Sequence, residues 1–202
     1  MKSKDYLKDI SEIKTLMNKS SRFISLSGLS GIMAGVYAII GSAIAYYLVT
    51  NYSYGTLILD GKIFRLVLLD LILVAFFSIV TAIVLTTKKA NKNGAKIWDA
   101  TSQRLVVNFL IPLVVGGLYI LIILNQQKYG QAGALMLIFY GLALVNASKY
   151  SIGDIRYLGY IQLVLGLIGA AFPGYGFWLW VLGFGVMHIV YGTWMYFKYD
   201  LE

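Results

Sequence analysis

The chain has 202 residues, of which 59% are hydrophobic and only 13% charged, against roughly 25% charged in soluble domains. Such a chain has too little polar surface to cover a globule in water, which excludes a soluble domain as its main architecture. It contains no cysteine, which excludes disulfides, thiolate metal sites and a cysteine nucleophile; its net charge of +8 needs a different explanation.

Topology supplies that explanation. Six apolar segments divide the chain at about 23–49, 64–86, 105–124, 131–147, 155–172 and 177–197. Of the 17 Lys and Arg residues, 14 fall on alternate sides of these segments and 3 on the others. Lys and Arg resist translocation, so the heavily basic side is expected to be cytoplasmic. The pattern predicts an all-α polytopic membrane protein of six transmembrane helices. It predicts both termini in the cytoplasm and residence in the cell's inner (plasma) membrane. No stretch alternates basic residues with exposed aromatics, so nucleic acid is not an expected partner. The lipid bilayer is, together with a second copy of the chain or another membrane protein.

In chain order, residues 1–22 form the first unit and 23–202 the second. Tyr6, Ile10, Ile13 and Met17 recur at helical spacing, with Lys4, Asp5, Lys8, Glu12 and Lys19 on the other faces. This predicts an amphipathic helix on the inner membrane surface, with a partner-docking or oligomerising helix as the alternative. These residues lack the short apolar region of a cleavable signal, so the first span is expected to act as an uncleaved insertion signal. Span one carries a stripe of small residues, namely Ser27, Gly31, Gly35 or Ala34, Ala38, Ser42 and Ala45. Small residues at this spacing let helices approach closely in lipid, either within the chain or as a dimer seam. Asn51-Tyr52-Ser53 matches a glycosylation sequon, and a polar loop is the simpler reading.

Span two contains Asp70, the one acid well inside a span. A charge there needs a partner or water. Tyr119 is expected at similar depth, with Lys62 and Arg65 above. The residue is either a carboxylate reaching the interface or an entrance site for a cation or proton. A basic loop, Lys88 to Arg104, follows, with Trp98 as an interface anchor. Pro112 and the Gly116-Gly117 pair make span three the expected site of a kink. Asn108 and Asn146 lie near the cytoplasmic ends. Ser151-Ile152-Gly153-Asp154 reads as a capping box before span five.

The last two spans form an uncharged stretch of 41 residues from Tyr157 to Phe197. Pro173-Gly174 between them suits a type II turn and predicts a tight antiparallel hairpin. Span five presents Gly159, Gln162, Gly166 and Gly169 on one face; span six presents Gly185, His188 and Gly192. Each glycine-lined face thus has one polar residue in its middle. Counted from the turn, both polar residues lie at roughly 15 to 17 Å depth. A direct Gln162–His188 hydrogen bond would satisfy both groups in lipid. That pair is either packing glue or part of a proton relay or ligand site. An inverted 3 + 3 repeat would suit a transporter. The echo of residues 31–37 in 185–191 is short, however, and does not fall at corresponding positions.

The hairpin LGYIQLVLGLIGAAFPGYGFWLWVLGFGVMHIVYG, with Gly166, Gly169, Pro173, Gly183 and Gly192, resembles a repeat unit of the HdeD-like inner-membrane proteins. The resemblance implies a six-span bacterial membrane protein with a stress-related role. It supplies no functional residues, and the charged N-terminal segment and basic loop lie outside it.

No metal or other cofactor is expected, since the chain has one His, no Cys and no ExxH pair. No Ser-His-Asp set assembles by spacing, and no phosphate-cradling Gly loop precedes a basic residue. The expected function is therefore that of a non-enzymatic integral membrane protein, accessory or stress-related. The alternative is a small transporter or channel, proton-linked through His188 and Gln162 and extending to Asp70. An intramembrane enzyme ranks third. A water-accessible path joining Asp70 to His188 would favour transport, and a dry, glycine-packed contact would favour a structural role.

Overall fold

Apolar runs of this length must satisfy their backbone groups internally in lipid, and helices do so. The computed structural model describes residues 26–52, 61–94 and 96–200, and among them it is all-helical apart from turns and an isolated bridge at Ser151. The expected amphipathic helix within 1–22 lies outside the described residues. The helices are α1 (Gly28–Tyr52), α2 (Lys62–Lys92), α3 (Ala100–Asn125), α4 (Ala132–Ala147) and α5 (Ile155–Ala171). A last rod follows, made of α6 (Gly176–Trp180), a π-helical segment (Val181–Met187) and α7 (His188–Tyr199).

Among the described residues, five segments are long and apolar enough to cross a membrane. They are α1, α2, α3, α4 with its flanking 3-10 turns (Tyr129–Tyr150), and the last rod (Pro173–Tyr199). The 17-residue α5 is shorter; it covers about 25 Å, at the lower limit of a spanning helix.

Two helices overrun the apolar limits read from the sequence. α2 continues through Lys88, Lys89 and Lys92, because lysine is a good helix former once the rod leaves lipid. α3 starts at Ala100 because Asp99 and Ser102 form a reciprocal capping box, with Ser102 N–H donating to Asp99 at 2.7 Å and Asp99 N–H to Ser102 Oγ at 2.8 Å. The expected long basic loop therefore shrinks to 93–99. Pro112 is accommodated inside one continuous helix, α3. Irregular, π-helical winding occurs in the last rod.

The expected capping box at Ser151 is corrected. α5 begins at Ile155 with Asp154 in the cap position, and Asp154 makes no side-chain cap bond. Its carboxylate instead accepts from Lys198 Nζ at 2.7 Å and Tyr199 OH at 2.5 Å. The Pro173-Gly174 turn is a 3-10 turn, closed by Tyr175 N–H on Phe172 C=O at 3.0 Å. Gly174 is not in the left-handed region that a type II turn requires.

Glycine faces decide which helices pair. α5 packs most extensively on α4, where Gly159 and Gly166 lie against Gly141, Ala134 and Ile138. α7 and the π segment pack most extensively on α1, so the small-residue stripe of span one is used within the chain. There Gly28, Gly31 and Gly35 meet Gly192 and Gly185. A Cβ on Gly192 would stand 2.5 Å from the Ile32 nitrogen and 2.8 Å from the Gly28 oxygen, both backbone atoms that cannot yield. The expected face-to-face pairing of spans five and six is thus a lesser contact. α1 sits between α2 and α7, and α4 between α3 and α5, leaving α2 and α3 on the outer flanks.

Polar side chains gather at one end of this array. Asp200 accepts from Lys89 Nζ at 2.6 Å, from Gly28 N–H at 2.9 Å and from Ser27 Oγ at 3.1 Å. It thereby caps the N-terminus of α1 from the end of α7 and ties in the last turn of α2. Lys89 also donates to Leu26 C=O at 3.0 Å. Asn146 Nδ2 donates to Asn108 C=O at 2.9 Å, joining α4 to α3. The start of α1, the end of α2, the start of α3, the connection between α4 and α5 and the end of α7 therefore share one end of the bundle.

Candidate functional site

The π segment creates the most distinctive polar feature. Its wider winding accompanies a backbone carbonyl, that of Gly183, which takes two side-chain donors. Gln162 Nε2 on α5 donates to it at 2.8 Å, and His188 Nδ1 lies 3.0 Å from it. A carbonyl only accepts, so Nδ1 carries the ring proton and Nε2 has a free lone pair. The Tyr140 hydroxyl on α4, 2.9 Å away, donates to that lone pair. Gly183 must be glycine, because a Cβ there would stand 2.5 Å from Gln162 Oε1 and would also strike Leu137.

The expected direct Gln162–His188 hydrogen bond is therefore replaced. The amide nitrogen and Nδ1 are 3.5 Å apart, but both are donors aimed at the same carbonyl. Gln162 is fully buried and His188 is 6% exposed, so the group is closed off from the surroundings. Aromatic rings seal it. Phe184 stacks on His188 at 5.8 Å and 12°, and Tyr140, Trp180 and Phe109 extend the cluster. Two buried polar atoms among the described residues have no partner, Gln162 Oε1 and Tyr191 OH. Chemically this is a neutral, packed clamp that joins α4, α5 and the last rod.

Asp70 belongs to a different place. It lies on α2 against Gly41 of α1, where a Cβ would be 3.1 Å from Oδ2. Asp70 lines a cavity of about 280 Å³ with Ser42, Tyr46, Val74, Phe177 and Trp180. Neither His188 nor Gln162 lines that cavity. Tyr119, expected at a depth similar to that of Asp70, is on the opposite flank, with its ring 6.4 Å from Phe139 of α4. Among the described residues the Asp70 carboxylate makes no hydrogen bond or ion pair; the two ion pairs are Lys89–Asp200 and Lys198–Asp154.

Sequence reasoning missed Tyr140, Gly183 and Asp200. A tyrosine in the middle of an apolar span was the available signal for Tyr140. Gly183 had none, because its role lies in its carbonyl and in the π winding. No group of three or more His, Asp or Glu suited to a metal occurs among the described residues. No known protein family matches the chain, and no curated protein or solved structure does either.

Proposed function

We propose that this chain is a non-enzymatic integral membrane protein, an accessory or stress-related component of a bacterial inner membrane. In this reading it has six spans, both termini in the cytoplasm and an amphipathic helix ahead of span one. One observation carries the non-enzymatic reading. Both ring nitrogens of His188 are engaged, by Gly183 C=O at 3.0 Å and Tyr140 OH at 2.9 Å, within a closed aromatic shell. A general base needs a free nitrogen within reach of a substrate proton. A histidine held this way supports helix packing. The stress-related component of the proposal follows from the resemblance of the last two spans to HdeD-like proteins.

The test is reconstitution into liposomes carrying an internal pH dye. Under an imposed pH gradient, proton flux should equal that of protein-free liposomes. Flux above that level that vanishes in His188→Leu would overturn the reading in favour of a proton relay. A second reading, a small transporter, is favoured by the lone Asp70 carboxylate beside a cavity.

A further inference from the structure

We propose that the cavity between α1, α2 and α6 binds a small lipophilic organic cation, a quaternary or aromatic ammonium. Asp70 supplies the countercharge, and Tyr46, Phe177 and Trp180 supply the aromatic wall. This inference concerns a cavity that borders the His188 clamp through Trp180 but is lined by neither His188 nor Gln162, and it stands whether or not that clamp is purely structural.

The charge argument comes first. An unpaired carboxylate in lipid is costly and marks a functional position. Asp70 has no cationic partner among the described residues. Lys62 and Arg65 are on the same helix, eight and five residues earlier, which at 100° per residue turns them roughly 80° and 140° away from its face. The Ser42 hydroxyl cannot neutralise the carboxylate either, since it donates to Ile39 C=O at 2.8 Å. Gly41 lets α2 approach α1 closely enough to seat the carboxylate against it.

The wall selects the kind of cation. Phe177 and Trp180 come from the first turns of the last rod, and Tyr46 faces them from α1, 6.1 Å from Phe177 at 28°. Aromatic faces attract weakly hydrated organic cations, and quaternary ammonium groups are their characteristic ligands. A hard metal ion would need about six or more oxygen ligands, and the oxygen-bearing side chains of the lining are only Asp70, Ser42 and Tyr46. A neutral ligand would leave the carboxylate uncompensated. The volume of about 280 Å³ falls just below the ~300–1,000 Å³ of drug-sized pockets, so the ligand is a small cation.

The experiment is calorimetric titration of the full chain in detergent with benzyltrimethylammonium. Its neutral isostere, neopentylbenzene, is titrated in parallel. Saturable binding of one cation per chain is expected, with none by the isostere. Asp70→Asn should weaken binding on the order of thirtyfold or more, the usual effect of removing one partner of a desolvated charge pair. Trp180→Leu should weaken it severalfold. Asp70→Glu keeps the charge and should retain binding, so the proposal stays testable even if Asp70→Asn fails to fold. An ammonium could also be presented by a lipid headgroup. The titration is therefore repeated in nanodiscs of phosphatidylglycerol and of phosphatidylethanolamine. Competition in the second alone assigns the site to a headgroup ammonium, and undiminished binding in both assigns it to a free cation. No saturable binding by the native chain, equal binding of the isostere, or unchanged binding in a folded Asp70→Asn would overturn the proposal.

Discussion

Tyr140 on α4 and His188 at the start of α7 are joined by a hydrogen bond of 2.9 Å between the phenol and Nε2. Gly183 C=O sets the direction of that bond: it holds the ring proton on Nδ1, so the phenol donates to Nε2. The two contacts should act as a unit. Tyr140→Phe should cost about 0.5–1.5 kcal/mol, the range of single interhelical hydrogen bonds in membranes. His188→Leu strands the phenol as well and should cost about 1–3 kcal/mol. In denaturant unfolding in detergent, the double variant should be less destabilised than the sum. Strict additivity would show that the phenol and imidazole are merely neighbours.

The α1–α7 seam is held by backbone-to-backbone approach. At Gly192 a methyl group would meet the Ile32 nitrogen at 2.5 Å and the Gly28 oxygen at 2.8 Å. Gly192→Ala should therefore push the helices apart and destabilise by about 1–3 kcal/mol, as overpacking does. Gly117 on α3 is the control, because nothing lies within 4 Å of a Cβ there. Gly117→Ala should be neutral or stabilising by up to about 1 kcal/mol through helix propensity. Thermal unfolding of the two variants side by side checks both; equal effects would refute the packing argument.

Asp154 offers a pH signature at the polar end. The hydrogen bond from the Lys198 ammonium, aided by the Tyr199 hydroxyl, holds its carboxyl below the usual carboxylate range. A depressed folded-state value stabilises the fold above the ordinary value of about 3.9. That contribution is lost as pH falls through the lower folded value. Stability should thus be flat in this contribution near neutrality and decline in acid. Asp154→Asn should lower the unfolding temperature at pH 7 and converge with the native chain at the acid end. A constant difference between the two at every pH would rule out this linkage.

The helical class and the long apolar segments were legible in the sequence because lipid leaves the backbone few options. The pairing of helices was less legible. The glycines on spans five and six were visible, yet spacing alone could not say that Gly159 and Gly166 face α4 while Gly185 and Gly192 face α1. Chain neighbourhood suggested a hairpin contact, and close backbone approach elsewhere outweighed it. At the polar clamp, Gln162 and His188 were visible because polar residues are rare there. Their shared acceptor was not, since a carbonyl carries no residue identity and the π segment has no sequence signature that spacing reveals. Asp70 stood out as a lone acid, but two of the three aromatic residues of the wall, Phe177 and Trp180, lie more than a hundred positions away.

The last expectation concerns sidedness. Lys89 with Asp200, Lys198 with Asp154, and Asn146 with Asn108 gather at one end of the bundle. The other end carries the contacts of Phe64 with Tyr129, 6.2 Å apart, and of Gly130 with Pro173. The chain has no cysteine, so single cysteines can be introduced without background. Lys92→Cys and Lys149→Cys lie at the first end and Lys128→Cys at the second, all three exposed. A membrane-impermeant maleimide added to intact cells should label position 128 and spare 92 and 149, because the basic end should stay in the cytoplasm. Labelling of 92 and 149 with 128 spared would invert the orientation while leaving the bundle intact. Labelling of 92 together with 128 would contradict the shared polar end, and with it the arrangement of helices on which the clamp and the cavity both depend.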